Sequence, residues 1–251
     1  MILNPHLEGD PFFWPGNSTG ILLLHGFSAT TAEVRPLAQA LHQHGYTVAG
    51  PLLPGHKTTL DDMDTCRWQD WVSAAEGAYE RLQTKCEHVF LGGESMGGIL
   101  SLLLANRHPE AAGILAYAPV IRLPLARTLI IRLTSPFVRH YTPPRRPLTI
   151  VDDRWQGYAA RPARALRQLF ALMAEVDRRL PAVTQPILIA QGQLDRTVDV
   201  RGAQRLYERI GSRVKELHWL ARSTHCVILD EELPQVVTLT LNFIKSINPP
   251  H

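Results

Sequence analysis

Short apolar runs recur along the chain, and most of them are bounded by glycine or proline. They lie at residues 20–25, 46–53, 89–92, 113–118, 186–191 and 215–220. Runs of this kind are typical of strands that are buried on both faces, as in a parallel sheet. Residues 11–16 contain two prolines and indicate a short edge strand that closes on a turn.

Amphipathic segments separate these runs. Helices are predicted at residues 68–82, 96–107, 200–210 and 232–247. Thr30 and Glu33 have the spacing of a capping box that opens a further helix ending at Gly45. Pro36 is tolerated only in a first turn, so that helix is expected to begin a few residues later. Alternating strands and helices imply right-handed crossovers. The prediction is therefore an α/β protein with a mostly parallel central sheet flanked by helices.

The alternation lapses between residues 120 and 185. This segment has no convincing strand, a proline-rich loop at 143–147, and amphipathic helices at 125–133 and 165–180. It holds 12 Arg, no Lys and 4 acidic residues, a net charge of +8, whereas the remainder carries −5. We therefore predict a core of residues 1–119 and 186–251 with an inserted helical cap, or lid, at 120–185 that covers the carboxyl ends of the strands. An Arg-rich solvated surface, or a helical layer packed on the sheet, is the alternative.

The composition narrows the classes of function. With 251 residues, 45% hydrophobic and 20% charged, the chain is predicted to form one large domain, and its net charge of +3 is too small to indicate a nucleic-acid partner. The apolar runs are far shorter than a membrane span, and residues 1–6 show no secretory signal. Three widely spaced cysteines fit reduced thiols, so we expect a cytoplasmic protein. No cofactor or metal is expected, since His42 and His44 have no carboxylate or cysteine nearby.

One Gly-x-Ser-x-Gly pattern, at residues 93–97, lies between an apolar run and a predicted helix. Strand, sharp turn and helix in this order expose the oxygen of the central Ser95 at the end of the sheet, and small neighbours let strand and helix pass closely. The pattern therefore predicts a nucleophilic serine. A glycine-rich connection without a catalytic role is the alternative. A phosphate-binding loop is disfavoured because no Lys-Ser/Thr pair follows the glycines.

A serine nucleophile needs a base and an acid that orients the base, and in this architecture they follow in the order serine, acid, histidine. His225 lies in a loop after the strand predicted at 215–220, so we predict it to be the base. Asp195 follows the strand predicted at 186–191, which places it at the same end of the sheet. Asp199 is the rival acid, but it directly precedes a helix and is better explained as an N-cap.

Two backbone donors are expected to stabilise the oxyanion of the tetrahedral intermediate. The helix start directs the Met96 N–H, and the positive end of the helix dipole, at a developing anion. The loop after the first buried strand should supply the second donor, and Phe27 in His25-Gly26-Phe27 occupies that place. His25 is interpreted as a structural residue that bonds within its loop.

With these residues in place, the chain resembles the α/β-hydrolase superfamily, and within it the bacterial carboxylesterases and monoacylglycerol lipases. The matching stretches are residues 22–30, 35–38, 45–48, 54–56, 70–72, 93–98 and 225–230. Two departures stand out. Family members usually carry Gly after the Gly-His of the second strand loop, where this chain has Lys57. The Arg-rich cap matches poorly, and no acidic residue for a glycerol head group can be placed in it.

The resulting hypothesis is a serine carboxylester hydrolase that acts on small to medium-chain acyl esters, with a small-molecule ester as its partner. An acyl-enzyme would form on Ser95, with His225 as base and Asp195 as orienting acid. Monoacylglycerol lipase, thioesterase or acyltransferase activity on the same residues is the alternative, because these activities differ in the pocket and in water access. A non-catalytic binding protein of the same fold is a third reading. Dehalogenase or epoxide hydrolase chemistry is disfavoured, since a carboxylate would be expected at Ser95.

Overall fold

The computed structural model describes residues 1–142 and 153–248, so the loop predicted at 143–147 lies outside the described residues. Eleven strands occur in this part of the chain: β1 (Ile2–Leu3), β2 (Phe12–Trp14), β3 (Thr19–Leu24), β4 (Thr47–Gly50), β5 (His88–Glu94), β6 (Gly113–Tyr117), β7 (His140–Tyr141), β8 (Gly157–Tyr158), β9 (Arg161–Pro162), β10 (Ile187–Gly192) and β11 (Lys215–Leu220). The helices are α1 (Arg35–Gln43), α2 (Leu60–Thr65), α3 (Trp68–Gln83), α4 (Met96–Arg107), α5 (Leu125–Thr134), α6 (Ala163–Arg179), α7 (Arg201–Arg209) and α8 (Leu233–Ile247).

Seven strands form the central sheet, in the order β11-β10-β6-β5-β3-β4-β2. Six of them run parallel, and only the edge strand β2 pairs antiparallel, with β4. The predicted mostly parallel sheet and its edge strand are therefore confirmed. Strands β5, β6, β10 and β11 are consecutive in this order, so the loops that follow them share one edge of the sheet.

Helices cover both faces of the sheet, and the strands supply side chains alternately to each face. Along β3, Leu22 and Leu24 pack among α3, α4 and α6, while Ile21 and Leu23 pack among α1 and α8. All six residues of β3 are buried, which explains why the run is apolar without alternation.

The predicted capping box before α1 is wrong. Thr30 caps a 3₁₀ turn at Thr31–Glu33 by accepting a hydrogen bond from the Ala32 amide, and α1 begins only at Arg35, with Pro36 in its first turn. Glu33 therefore falls before the α-helix, and its carboxylate is bound elsewhere. Helix α2, which is capped by Thr59, was not predicted.

Residues 120–142 and 153–185 contain no strand of the central sheet among those described. Helix α6 packs with Leu166, Leu169 and Leu172 into the core cluster that holds α3 and α4. Helix α5 leaves much of its apolar surface exposed, chiefly at Leu125, Leu129, Ile130 and Leu133. The two helices predicted in this segment are thus present, and they differ in how far their apolar faces are covered.

The segment before α6 is joined to the core beside the loop that follows β3. The Tyr158 amide donates to the Ser28 carbonyl over 2.8 Å. The side-chain amide of the buried Gln156 donates to two carbonyls near the start of the chain, those of Asn4 and Leu7. Asn4 in turn donates from its side chain to the Trp155 carbonyl over 2.8 Å. These bonds hold residues 155–158 against the edge of the sheet where the loop begins.

Candidate active site

Ser95 sits on the turn between β5 and α4, with φ +54° and ψ −107°. A non-glycine residue in this region is strained by about 1–3 kcal/mol, and the surrounding structure must enforce it. The Ser95 amide donates to the Tyr117 carbonyl over 2.8 Å. A Cβ on Gly97 would lie 1.9 Å from the Leu24 carbonyl oxygen, so only glycine lets α4 pass the end of β3 this closely. Packing therefore holds the serine oxygen at the sheet edge.

The structure brings Ser95, His225 and Asp195 together. His225 Nε2 lies 2.9 Å from Ser95 Oγ, and His225 Nδ1 lies 2.7 Å from Asp195 Oδ2. Ser95 is 9% exposed and the His225 side chain 16%, so the serine and the ring remain accessible from one side. The hydrogen-bonded order is hydroxyl, imidazole, carboxylate, which is the arrangement of a serine nucleophile with its base.

Asp195 is held by four donors. Its Oδ1 accepts the amides of Thr197 and Val198 at 2.7 and 3.1 Å, and its Oδ2 accepts Gln191 Nε2 at 3.0 Å as well as the His225 ring. Burial raises the pKa of Asp195, but the charge of His225 and these hydrogen bonds outweigh burial and hold the pKa below its ordinary value. The carboxylate is therefore ionised and fixed in orientation.

The rival acid, Asp199, has different partners. Its carboxylate accepts the Arg201 amide at 3.2 Å and pairs with the guanidinium groups of Arg201 and Arg122. These contacts tie the start of α7 to the loop after β6. The predicted N-cap role of Asp199 is wrong, because Val200 is the N-cap of α7 and has no side-chain cap; Asp199 lies one residue earlier and binds the first turn through Arg201.

Two backbone amides lie beside the serine. Met96 follows it at the start of α4, and Phe27 belongs to the loop after β3, whose Gly26 would place a Cβ 3.5 Å from Ser95 Cβ. Neither amide has a hydrogen-bond acceptor among the described residues. The Phe27 ring packs edge-on against Trp71, with the ring centroids 5.9 Å apart. Met96 directly follows the serine and Phe27 follows the glycine that approaches it, and neither N–H is engaged by an acceptor in the described part of the chain.

Two buried imidazoles shape the loop that carries Phe27. His25 Nδ1 donates to the Gly26 carbonyl, and His25 Nε2 accepts the Leu53 amide. His56 Nε2 accepts the Ser28 amide. Burial lowers the pKa of His25 well below its ordinary value and that of His56 to about 4. Both rings are therefore neutral, and they stabilise the loop through their hydrogen bonds. Lys57, where the resemblance leads one to expect glycine, has φ +58°, a left-handed conformation that favours glycine.

A buried glutamate that the sequence interpretation assigned to a helix cap lies next to the serine. Glu33 Oε2 accepts the Gly26 amide at 2.5 Å, and Glu33 Oε1 accepts Trp155 Nε1 at 2.9 Å. The signal that could have revealed it is Pro36, which starts the helix too late for Glu33 to lie in its first turn. The contact of Trp155 with Glu33 could not be predicted from the sequence, because it joins residues that are far apart in the chain.

Glu94, immediately before the serine, is completely buried. Neither of its carboxyl oxygens has a hydrogen-bond partner among the described residues, although the amides of Ile228 and Val227 lie close enough to favour its charge in part. Burial, and next the charge of the nearby Glu33, raise the pKa of Glu94 well above its ordinary value. The raised pKa favours the protonated form of Glu94, whereas the lowered pKa of Asp195 favours the ionised form.

Glu94→Gln is expected to stabilise the protein more as the pH rises. The folded state keeps a proton that the unfolded chain releases above the ordinary glutamate pKa. Stability is therefore full below that pKa and is lost as the pH climbs towards the raised folded value. Glutamine does not ionise, so its advantage grows by up to about 1.4 kcal/mol per pH unit. Urea unfolding of both proteins at pH 5 and pH 8 measures this.

Glu232→Gln is the matched control for that experiment. Glu232 is also buried, but its carboxylate accepts the Arg222 amide at 2.8 Å and the Ser223 hydroxyl at 2.7 Å. Losing the charge there weakens two hydrogen bonds, so this variant should be less stable than the parent at both pH values. A Glu94→Gln difference that is the same at pH 5 and pH 8 would show that Glu94 is not protonated in the folded state.

Within the described ranges, no group of three or more His, Cys, Asp or Glu side chains is placed to hold a metal ion. His42 and His44 bond to the carbonyls of Tyr46 and Ala40 at the end of α1. No helix among the described residues is long and apolar enough to cross a bilayer.

Comparisons with known proteins bear on the family and the fold. A family model described as serine aminopeptidase S33 matches residues 17–232. The chain is 34% identical over 242 residues to a thermostable monoacylglycerol lipase of Bacillus sp. (strain H-257), covering 95% of this chain and 96% of the relative. It is 25% identical over 240 residues to a carboxylesterase of Bacillus subtilis (strain 168), covering 95% and 97%.

A solved structure described with the metagenome-derived lipolytic enzymes LipS and LipT superposes with a TM-score of 0.88 at 30% identity, over 96% of this chain and 99% of that one. These comparisons confirm the predicted α/β-hydrolase fold and the predicted class of enzyme, a serine hydrolase. They also confirm the resemblance to the carboxylesterase and monoacylglycerol lipase subgroup. The chain therefore belongs to the serine aminopeptidase S33 family of α/β hydrolases.

Proposed function

We propose that the protein is a serine carboxylester hydrolase in which Ser95, His225 and Asp195 are the catalytic residues. The observation that carries this proposal is the continuous line of hydrogen bonds from the Ser95 hydroxyl through both nitrogens of His225 to Asp195, at 2.9 and 2.7 Å. Such a line activates a hydroxyl that is otherwise a poor nucleophile.

The reaction proceeds in two halves. Ser95 Oγ attacks the acyl carbon while His225 Nε2 takes the hydroxyl proton, and the Phe27 and Met96 amides bind the oxygen that becomes negative. His225 then gives the proton to the departing alcohol, which leaves the acyl group on Ser95. Water, activated by the same nitrogen, releases the acid and restores the serine. Asp195 keeps the ring in the required tautomer and stabilises its charged form.

The names of the relatives and the apolar side chains near the site favour a carboxylic ester as the substrate. Relatives named carboxylesterase and monoacylglycerol lipase match nearly the full length of the chain, which favours carboxylic esters over amides. We propose small to medium-chain acyl esters, with monoacylglycerol as the second candidate because the relative at 34% identity bears that name. The Phe27 ring, packed on Trp71 beside the serine, suits an acyl chain rather than a charged group.

We also propose a division of the chain into a core and a cap, and a cytoplasmic location for the protein. We assign the core to residues 1–119 and 186–251 and a cap to 120–185, which is joined to the core through the hydrogen bond from Trp155 to Glu33. The three cysteines are free: Cys66 is half-buried, and Cys86 and Cys226 are buried. Free thiols are consistent with the cytoplasmic location predicted from the sequence.

A fluorophosphonate probe tests the assignment of the nucleophile. We expect one equivalent of probe to attach to Ser95, located by peptide mass spectrometry, with parallel loss of p-nitrophenyl butyrate hydrolysis. The reason is that the probe reacts only with a serine that a base has activated. Ser95→Ala is the control and should stay unlabelled. An intact, folded protein that takes up no probe would instead be a non-catalytic binding protein of this fold.

A panel of acyl esters of increasing chain length, with a monoacylglycerol and an acyl thioester included, then separates the substrates. The proposal expects the highest kcat/KM among the small to medium acyl esters. A maximum for monoacylglycerol would select the second candidate, and a maximum for the thioester would replace the ester assignment.

A further inference from the structure

Glu33 connects three parts of the molecule that meet around the serine. Its carboxylate accepts the amide of Gly26 in the loop after β3 and the indole N–H of Trp155 in the segment before α6. The thiol of Cys226, next to His225, lies 3.8 Å from Oε1. Glu33 is 3% exposed, so water does not substitute for these partners.

The Gly26 contact bears directly on the geometry around Ser95. A Cβ built on Gly26 would lie 3.0 Å from Glu33 Oε2 and 3.5 Å from Ser95 Cβ, so this residue is wedged between the carboxylate and the serine. The next amide along the chain is that of Phe27. A carboxylate that fixes the Gly26 N–H therefore restricts the Gly26 backbone from one side, while His25 Nδ1 holds the Gly26 carbonyl in the peptide that presents the Phe27 N–H. Charge-assisted bonds of this kind are roughly twice as strong as neutral ones.

The contacts also indicate the charge on Glu33. Every group that touches its oxygens is a donor, so an ionised carboxylate fits the site and a carboxylic acid would leave its own proton without an acceptor. Burial is the largest influence and leaves the pKa of Glu33 raised, while the Gly26 amide, Trp155, the charge of His225 and the Cys226 thiol oppose burial. The contacts therefore favour the charge on Glu33 and the proton on Glu94, whose oxygens have no hydrogen-bond partner among the described residues.

Several groups around His225 bear on its charge. Asp195 bonds to its Nδ1, and Glu33 acts on it through space. The charges of Glu33 and Asp195 act on Glu94, whose pKa is raised well above its ordinary value chiefly by burial, and burial likewise raises the pKa of the adjacent Cys226 thiol well above its ordinary value. Asp230 accepts the Thr224 amide within the same loop. Two of these groups, Asp195 and Glu33, thus place negative charge close to the ring.

We propose that Glu33 is a positioning residue for ester hydrolysis. Its carboxylate holds the Gly26 N–H, one residue before the Phe27 amide, together with the Trp155 indole N–H, and it adds a second negative charge near His225. This inference rests on the proposed function, because it assigns to Glu33 an effect on the oxyanion and on the charged form of the base. It also joins Trp155 through Glu33 to the loop after β3, which we call the oxyanion loop because it carries the Phe27 amide.

Glu33→Gln is the test, since glutamine keeps the shape and removes the charge. We expect kcat for p-nitrophenyl butyrate to fall about 10- to 100-fold with KM within threefold. The reason is that a displaced donor loses much of its effect on the transition state, and complete loss of one donor typically costs about 10²–10³ in kcat. The acid limb of the pH profile of kcat/KM should also move to lower pH, because a positive ring next to less negative charge loses its proton more readily. A purely structural defect would not move that limb.

Asp64→Asn is the matched control. Asp64 also joins its helix to α6 through two backbone amides, those of Arg164 and Ala165, at 2.9 and 3.2 Å, but it has no contact with the loop after β3. Its substitution should leave kcat and the acid limb unchanged. Fluorophosphonate labelling of Ser95 in Glu33→Gln shows that the nucleophile itself is intact. If Ser95→Ala is inactive while Glu33→Gln matches the parent in kcat and in pH profile, the role of Glu33 is refuted and the proposed function stands.

Trp155→Phe covers the case in which Glu33→Gln does not fold. It removes one N–H donor but keeps the charge and the Gly26 bond. We expect kcat to fall about two- to fivefold, with the acid limb in place, in proportion to a single weakened contact. A Trp155→Phe enzyme with the parental kcat would overturn the connection between the Trp155 segment and the oxyanion loop.

Discussion

Ser95→Ala is expected to lower kcat for p-nitrophenyl butyrate by about 10⁴- to 10⁶-fold, a loss of roughly 5–8 kcal/mol of transition-state stabilisation. The hydroxyl is the atom that bonds to the acyl carbon, and no other nucleophilic side chain contacts His225 Nε2 among the described residues. The Phe27 and Met96 amides remain, so hydrolysis by water at a residual rate is expected. KM should change little, because the acyl chain contacts other side chains.

Alanine keeps the Cβ of serine, so the strained backbone at φ +54° is equally strained in the variant and stability should be preserved. Ser101→Ala is the matched control, since Ser101 is a buried serine of the following helix whose hydroxyl donates only to the Gly97 carbonyl, at 2.9 Å. It should retain parental kcat within about threefold, the rate equivalent of roughly 0.7 kcal/mol. Steady-state kinetics on both variants decide the matter, and full turnover by Ser95→Ala would refute the mechanism.

Asp195→Asn is expected to lower kcat by about 10⁴-fold without unfolding the protein. The asparagine oxygen can still accept the Thr197 and Val198 amides, which places its NH₂ opposite His225 Nδ1 and the Gln191 side-chain amide. Two donors then face each other, so the ring is favoured in the tautomer with its proton on Nε2. That tautomer cannot take the proton from Ser95. Measuring kcat together with the melting temperature separates this effect from loss of the fold.

Asp199→Asn provides the comparison for Asp195. Its carboxylate binds Arg201 and Arg122 rather than a histidine, so losing its charge weakens the start of α7 and leaves kcat within about twofold, a barrier change of only roughly 0.4 kcal/mol. The reverse result, with Asp199→Asn inactive and Asp195→Asn active, would show that the orienting acid had been assigned to the wrong aspartate.

Much of the fold could be predicted because it depends on local patterns. A parallel sheet buried on both faces requires continuous apolar runs, and each predicted run corresponds to a strand in the structure, although Thr47–Gly50 is shorter than the predicted 46–53. The glycines at 93 and 97 are required wherever a strand and a helix meet at a strained serine. The order of Ser95, Asp195 and His225 then followed from strands whose ends share one edge of the sheet.

The roles of the buried acids could not be predicted, because burial and through-space partners depend on tertiary packing. Thr30 and Glu33 match a capping box by spacing. In the structure the two carboxylate oxygens of Glu33 accept hydrogen bonds from Gly26 and Trp155 instead, so the box does not form. Glu94 occupies a variable position of the Gly-x-Ser-x-Gly pattern, so the pattern says nothing about its role. Only the packed structure reveals that its carboxyl oxygens have no hydrogen-bond partner among the described residues. Helix α2 is too short to show a helical period.

The catalytic roles themselves stay predictions until the variants are measured. What the structure adds is distance: the hydroxyl, the ring and the carboxylate lie within hydrogen-bonding reach, although the first two are 130 residues apart in sequence. The assignment of residues 120–185 as a cap likewise stays a prediction. Helix α6 packs on α4, whereas the exposed apolar residues of α5 have no partner among the described residues.

The order of strands in the sheet has a consequence for how activity arises during folding. The serine follows β5 and the imidazole follows β11, the outermost strand, so the two meet only after β6 and β10 have docked between them. Such contacts between distant parts of a chain form slowly. Recovery of ester turnover after dilution from denaturant thus reports completion of the whole sheet. A partly folded chain in which only β3 and β5 have paired is expected to show no ester turnover.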